Sequence, residues 1–576
     1  MKTQLPFLAI FFFSFLINAQ TPNLEWAIAA GDNTTANLNA DQGQALCIDP
    51  HGNIYTTGYF HEVADFEAGA HATELTSIGA EDLYITKYYP NGKLAWAKSF
   101  GSTGTDEGTA LASDDHGCIY MTGVFSGVVD FDDGPGSTYL NGISAGDIFI
   151  QKIDTLGNII WAKSMAGTGG TSNRSNSIAV DFESNAVFVT GVFEGTVDFD
   201  PSSGENLQTA SGAQDVFIQK LDLLGNAVWT RILGSADNEK ANSLTCDDSG
   251  NVYVTGAFEE TLDLDPGTGI LEKTANGEHD SFFLKLDADG ELVWAKSIGS
   301  VYLDEAAAIK LDASGNIYIT GYFQGSVDFD PGIGIAVISG DFMFPDVYIL
   351  KLSSLGEFKW VKDISGETDS DFSQSICIDA DGFIYTTGYF RGTNDFDPGV
   401  STLDLTSNGE SDIFVQKLDS LGNLVWAISA GGDGADEGRA IMLDQHQNIC
   451  VTGFFNNTVD FDPWALTSDQ VSNGGDDIFV WKLNPDTYYA GEAAQPVSEK
   501  IGTLYPNPAN NVLNIVLPES KNANMVMHDL SGKLIYAQNG TAQNMQLDVS
   551  GFECGTYVVT LTTDAGVSVE KLIVTH

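Results

Sequence analysis

Positive charge is scarce in this chain: 25 lysines and arginines stand against 79 aspartates and glutamates, for a formal net charge of −54 over 576 residues. The field of such a surface repels other polyanions, so nucleic acid and bare anionic lipid are poor partners, whereas cations are favoured. Acidity of this kind also keeps an exported protein soluble. Cysteine is equally sparse. Cys47, Cys118, Cys246, Cys377, Cys450 and Cys554 are scattered with no Cys-x-x-Cys spacing, which argues against a disulfide framework or a thiolate metal site. Beyond the N-terminus no apolar run is long enough for a transmembrane helix. The spacings of a metal-binding helix, a nucleophile elbow and a phosphate loop are also missing.

Met1-Lys-Thr precedes an apolar run from Leu5 to Ile17 and a small-residue site after Ala19, so residues 1–19 read as an export signal. No cysteine follows the cut to accept a lipid.

What the chain has in abundance is repetition. A Thr-Gly-x-Phe motif recurs with its glycine at Gly58, Gly123, Gly191, Gly256, Gly321, Gly388 and Gly453, spaced by 65 to 68 residues. Around it come an apolar stretch ending in Asp, a segment Asp-x-aromatic-apolar-x-Lys, and a segment with one tryptophan, always in the same order. Each is short, rich in β-branched and aromatic residues and bounded by turn formers, so each reads as a strand. Four antiparallel strands repeated seven times predict an all-β, seven-bladed β-propeller over residues 24–486. The first copy opens on an unpartnered tryptophan strand and the last lacks one, so Leu24–Ala29 is expected to pair with Asp477–Leu483 and close the last blade.

Each copy exceeds a typical blade by roughly 20 residues, mostly between the second and third strands. Those segments, expected to be long loops on one side of the ring, open on acidic pairs: Asp130/Asp132, Asp198/Asp200, Asp263/Asp265, Asp328/Asp330, Asp395/Asp397 and Asp460/Asp462. Carboxylates at i and i+2 of an extended segment share a face and could bridge Ca²⁺, the one candidate cofactor; the plainer reading is that Asp, Pro and Gly build a turn. The Asp and Lys of each third strand lie on opposite faces and read as blade-building, with Asp meeting turn amides and Lys a neighbouring carboxylate. Exposed aromatics Phe342, Phe344 and Trp464 are candidate stacking residues for sugar rings.

Thr-Gly-x-Phe, Asp-Phe-Asp-Pro, Asp-x-Phe-x-x-Lys and the tryptophan strand together resemble the bacterial β-propeller repeat family SBBP. That resemblance implies a secreted or surface propeller. After a linker at 487–501, the motifs Tyr505-Pro-Asn-Pro508, Val512-Leu-Asn-Ile515, Met525–Lys533, Gly555-Thr-Tyr-Val-Val559 and Lys571-Leu-Ile-Val574 suggest a small β-sandwich at 502–576. They resemble the type A sorting domain of the type IX secretion system. The resemblance implies recognition by that machinery, export across the outer membrane, and release or attachment at the surface. No catalytic residue is nominated. The expected function is binding of a polysaccharide or surface protein, with a carbohydrate-active hydrolase or lyase at the propeller mouth, or a purely structural surface protein, as the alternatives.

Overall fold

The structure is a computed structural model that describes residues 22–32, 40–67, 72–170, 172–202, 204–366, 369–464, 467–484, 503–505, 512–529, 534–552, 555–563 and 566–574. The segments expected to be an export signal, 1–19, and a linker, 487–501, lie outside these. The chain separates into two compact units, Met1–Tyr488 and Tyr489–His576. Among the described residues every regular element is a strand, and none is a helix.

The first unit holds seven four-stranded antiparallel sheets. One of them runs Glu305–Leu311, Ile317–Phe323, Asp346–Leu352 and Phe358–Gly366 in spatial order. Six sheets draw their strands from one contiguous stretch of chain. The seventh combines Glu437–Leu443, Ile449–Phe455 and Asp477–Asn484 with Asn23–Asp32, paired from Asn23↔Asn484 to Ala30↔Ile478. The first strands of successive sheets neighbour one another in order, and Gln42–Ile48 neighbours both Glu107–Ser113 and Glu437–Leu443.

The motif residues hold these sheets together. The Thr-Gly threonine donates from Oγ1 to a third-strand carbonyl in all seven, as in Thr122 to Phe149 at 2.7 Å and Thr320 to Tyr348 at 2.9 Å. The phenylalanine two residues after the glycine is fully buried in every copy. In six of them it meets the central phenylalanine of the acidic segment, edge to face, for example Phe323 on Phe329 with centroids 5.3 Å apart. Burying one such ring contributes about 1.5–3 kcal/mol.

The extra residues of each copy are more ordered than the long loops expected from sequence. They form a short hairpin, such as Ser326–Asp328 with Val337–Ser339, anchored by the buried Phe329. Two hairpins also pair with the end of the preceding sheet's fourth strand, Gly31↔Asp65 and Ser365↔Asp395, and a third pairs with Gly167–Thr168, just after such a strand, at Gly167↔Val197.

In the second unit, where two packed sheets were expected, the described strands form one five-stranded antiparallel sheet. Val512–Asp529 is its central strand, pairing with Thr503–Tyr505, Leu534–Asp548 and Gly555–Thr563. Pairing with Leu534–Asp548 breaks between Val516 and Lys521, at Pro518, and then resumes. Proline cannot donate to a ladder, so Pro518 marks an irregularity within one long strand instead of an end between two short ones. The core of this unit includes Leu513, Met525, Met527, Tyr557, Val559 and Leu572.

Candidate binding cavity

Each Thr-Gly glycine shapes the first strand beside it. A Cβ on Gly58, Gly123, Gly191, Gly256, Gly321, Gly388 or Gly453 would lie 1.8–2.0 Å from a first-strand carbonyl oxygen, so only glycine permits the approach. Directly beyond that carbonyl the first strand carries a bulge, as between Ala306 and Ala308. The extra residue is thereby released from the ladder.

These bulged residues, with Arg174, Glu305 and Phe372 two positions before three of them, line a cavity of about 410 Å³. Every one of the seven first strands contributes, through Gln44, Thr109, Asn176, Asn242, Ala307, Gln374 and Arg439 at the bulge. Their identities range over Gln, Thr, Asn, Ala and Arg, whereas the residues on either side are always Gly, Ala or Ser. Three of them clip the next first strand: Thr109 donates to Ser175 O at 2.8 Å, Asn176 to Ala241 O at 2.9 Å and Asn242 to Ala306 O at 3.0 Å.

The lining is asymmetric. The x residue of Thr-Gly-x-Phe, which pairs with the residue two before the bulge, is Tyr59, Tyr322, Tyr389 or Phe454 in four copies but Val124, Val192 or Ala257 in the other three. On the aromatic side Phe372 lies edge-on to Tyr322 with centroids 4.8 Å apart and tilted against Tyr389 at 5.1 Å. Burial, reinforced by Glu437, raises the Tyr389 hydroxyl to about 12, so it remains a neutral donor at any physiological pH. On the aliphatic side the smaller side chains border an adjoining cavity of about 500 Å³ that contains Arg174 and Lys240.

Charge is arranged with equal care. Arg174 holds Glu107 at 2.7 Å, Lys240 holds Glu305 at 3.2 Å, and Arg439 holds Glu437 at 2.8 Å on its own strand. In every pair the carboxylate is the more buried partner: side-chain exposures are 15, 12 and 14% for Glu107, Glu305 and Glu437, against 38, 40 and 27% for Arg174, Lys240 and Arg439. Glu305 also accepts from Tyr322 Oη at 2.9 Å and from Asn242 Nδ2 at 2.8 Å. The guanidinium of Arg439 lies over the Phe454 ring at 5.4 Å, and its Nε is buried with no hydrogen-bond partner. Further along a first strand, burial lowers the Lys310 ammonium, whose electrostatic neighbours are the thiols of Cys377 and Cys246.

Immediately before these positions stands a second set of acidic groups. Asp106 accepts from the amides of Ser102 and Ser126 at 2.6 and 2.8 Å, and Asp304 and Asp436 repeat the pattern. Burial pushes Asp106 and Asp304 up to about 6, Glu239 and Asp436 to about 7 and Asp371 to about 8. Third-strand Asp280, Asp346 and Asp412 are raised by burial to about 7, 6 and 6.

The residues nominated from sequence lie elsewhere. Oδ1 of Asp130, Asp198, Asp263, Asp328, Asp395 and Asp460 accepts two backbone amides, from the second Asp of the pair and from the residue eight positions on, as in Asp328 with Asp330 at 3.1 Å and Ala336 at 2.8 Å. Asp132, Asp200, Asp265, Asp330, Asp397 and Asp462 each accept the amide two residues on. Among the described residues no group of three or more His, Cys, Asp or Glu is placed to hold a metal. Phe342 is exposed, and Trp464 donates its indole N–H to Pro22 O at 2.6 Å. Neither they nor Phe344 line the cavity. The cavity residues could have been found by aligning the seven copies and asking which positions vary.

Comparison with known proteins adds to this picture. A family model described as a secretion system C-terminal sorting domain matches residues 503–575, and one described as a β-propeller repeat matches 228–257. An uncharacterised WD-repeat-containing protein of Acanthamoeba polyphaga mimivirus is 23% identical over 507 residues, covering 75% of this chain and 36% of its own length. Regulatory protein FlaEY of Caulobacter vibrioides is 30% identical over 133 residues, covering 22% of this chain and 14% of its own. The chain thus spans well under half the length of these curated relatives. Solved structures with some likeness include PorZ, a surface component of the type IX secretion system of Porphyromonas gingivalis, at 9% identity and TM-score 0.22, covering 94% of this chain and 99% of PorZ. A fungal alcohol oxidase of the AA5 family in complex with copper matches at 11% identity and TM-score 0.32, covering 94% and 100%. At those TM-scores neither structure carries an argument.

Proposed function

From a chain that joins β-propeller repeats to a type IX sorting domain, and so is secreted or attached at the outer surface, we infer a surface propeller that captures a saccharide in its central cavity. In this reading the seven sheets are the blades of one closed ring over residues 24–486, residues 1–19 are the export signal, and the type IX machinery engages residues 502–576. The observation that carries it is the cavity lined by all seven first strands, whose side chains differ from copy to copy while the surrounding framework repeats. A framework needs no such variety, whereas a recognition site does. Aromatic faces beside amide side chains suit a sugar ring, which offers C–H faces and hydroxyl edges, and about 410 Å³ lies in the range of small-ligand sites.

The test is retention of the full chain on insoluble polysaccharides, compared with Phe372→Ala and Tyr389→Ala variants, with the supernatant assayed for released sugar. Retention that falls at least tenfold in the variants, without released product, supports the reading. Retention unchanged by either variant removes the cavity from the account. Capture of a surface protein in place of any polysaccharide would replace the saccharide.

A further inference from the structure

We propose that the saccharide taken by this cavity is an acidic one, bearing a carboxylate received by Arg174, which lines both this cavity and the adjoining one, and by Lys240 of the adjoining one. This rests on the cavity being the binding site and goes on to name the ligand class.

The distribution of arginine is the first observation. The chain has four, at Arg174, Arg231, Arg391 and Arg439. Two of them line the central cavity. A third, Arg391, is near enough to lower Tyr389 and Glu437 electrostatically. In a chain of net charge −54 this is a local reversal.

The second observation is the placement of like charges. Arg174 and Lys240 come from adjacent sheets, at equivalent strand positions paired with Val192 and Ala257, and both line the cavity of about 500 Å³. Each leans on a carboxylate of the sheet on its far side, Glu107 and Glu305 respectively, and Glu107 is the one acidic side chain in that lining. Two cations facing one space repel unless an anion joins them, and a guanidinium with one carboxylate partner still has N–H groups to donate. Small Val124 and Val192 leave room there for the incoming group.

Phe372 and Tyr389 line the same cavity as Arg174 from a sheet three places further round, while Tyr322 and Lys240 meet on one oxygen of Glu305 at 2.9 and 3.2 Å, which ties the aromatic wall to the cationic side. A pyranose seated against that wall would direct its equatorial carboxylate across the cavity. The acidic outer surface does not forbid entry, because its field is screened over about 8 Å at physiological salt while the two cations act at contact.

The experiment measures binding of tri-galacturonate and of its methyl ester to the full chain by calorimetry. The two ligands share rings and hydroxyls and differ in charge. The acid form is expected to bind at least tenfold more tightly, and Arg174→Gln to weaken the acid at least tenfold while leaving the ester within twofold. Because that variant strands Glu107, Glu107→Gln with Arg174→Gln is measured alongside, and it too should lose the preference for acid. Equal affinity for both forms, with both lost in Tyr389→Ala, would keep the cavity as the site and overturn the acidic class. A preference for acid that survives in the double variant and in Lys240→Met would overturn it as well. Binding of neither form, together with no retention on any polysaccharide, would remove the cavity reading itself.

Discussion

The Lys482 ammonium donates to the carbonyl oxygen of Pro90 at 3.1 Å, across 392 residues of chain. Trp26, on the paired strand, donates its indole N–H to the same oxygen at 3.1 Å. Elsewhere Lys220 and Trp229 share Ala288 O, and Lys351 and Trp360 share Ser420 O. The junction between the first and last strands is therefore built with the chemistry of an interior junction, including the hairpin pairing Gly31↔Asp65.

Lys482 also pairs with Asp444 at 3.0 Å, and both side chains are nearly inaccessible, at 2 and 3% exposure. Removing one member of a buried pair leaves a bare charge, at a cost of about 3–5 kcal/mol. Lys482→Met is expected to lower the melting temperature by several degrees, and deletion of residues 24–30 to lower it further. A deletion variant that melts with the wild type would refute closure of the ring through this strand.

The raised carboxyl groups set a pH dependence. In the unfolded chain they titrate near 4 (about 3.9 for Asp and 4.3 for Glu), whereas burial holds Asp106 and Asp304 to about 6, Asp436 to about 7 and Asp371 to about 8 in the fold. Between those values the folded state binds more protons, so their contribution is fully present below about 4 and is lost as pH rises through 6 to 8. Thermal melts should show higher stability at pH 5 than at pH 8. Asp371→Asn should flatten the upper part of that slope, since Asn173 occupies the equivalent place in another copy, accepting from Glu194 N and donating to Gly146 O. A melting temperature that climbs from pH 5 to 8 would contradict the assignment.

Calcium should have little effect on the melt. One oxygen of each leading aspartate in the acidic pairs already accepts two backbone amides, so these groups serve the turn without a cation. Melts in millimolar calcium and in chelator are expected to coincide within a degree. A calcium-dependent rise that disappears in Asp328→Asn/Asp330→Asn would assign those pairs to a metal.

Gly321→Ala probes the bulge. Its Cβ would fall 2.0 Å from Glu305 O, closer than any van der Waals contact, and forcing the two strands apart should cost about 1–3 kcal/mol or more. Because the bulge positions Ala307 and Glu305 in the cavity, ligand affinity should fall together with stability. Unchanged melting would mean that the first strand can retreat freely.

Much of this architecture is legible in the residues themselves. Phe323 and Phe329 recur at fixed offsets because they pack on each other, and a contact made in most copies leaves a period in the sequence. Turn chemistry is legible for the same reason. The cavity is not, because Arg174, Lys240, Glu305 and Phe372 occupy one equivalent position with four different side chains, and a motif search discards positions that vary. In the C-terminal unit the motifs Val512–Ile515 and Met525–Lys533 read as separate strands although one strand, Val512–Asp529, runs through both, because composition cannot distinguish the end of a strand from a break that later pairing bridges.

The bulge beside each Thr-Gly glycine divides the repeat into two grammars. Ladder positions obey their neighbours, since a change at Thr320 or Phe323 must be matched on adjoining strands. The bulged residue answers to no such partner: Ala307 omits the clip that Asn242 makes, and its sheet keeps the same pairing. Seven such positions around one cavity amount to seven independently editable letters on an invariant page, and a lineage could rewrite ligand preference one letter at a time without reopening the question of how the chain folds.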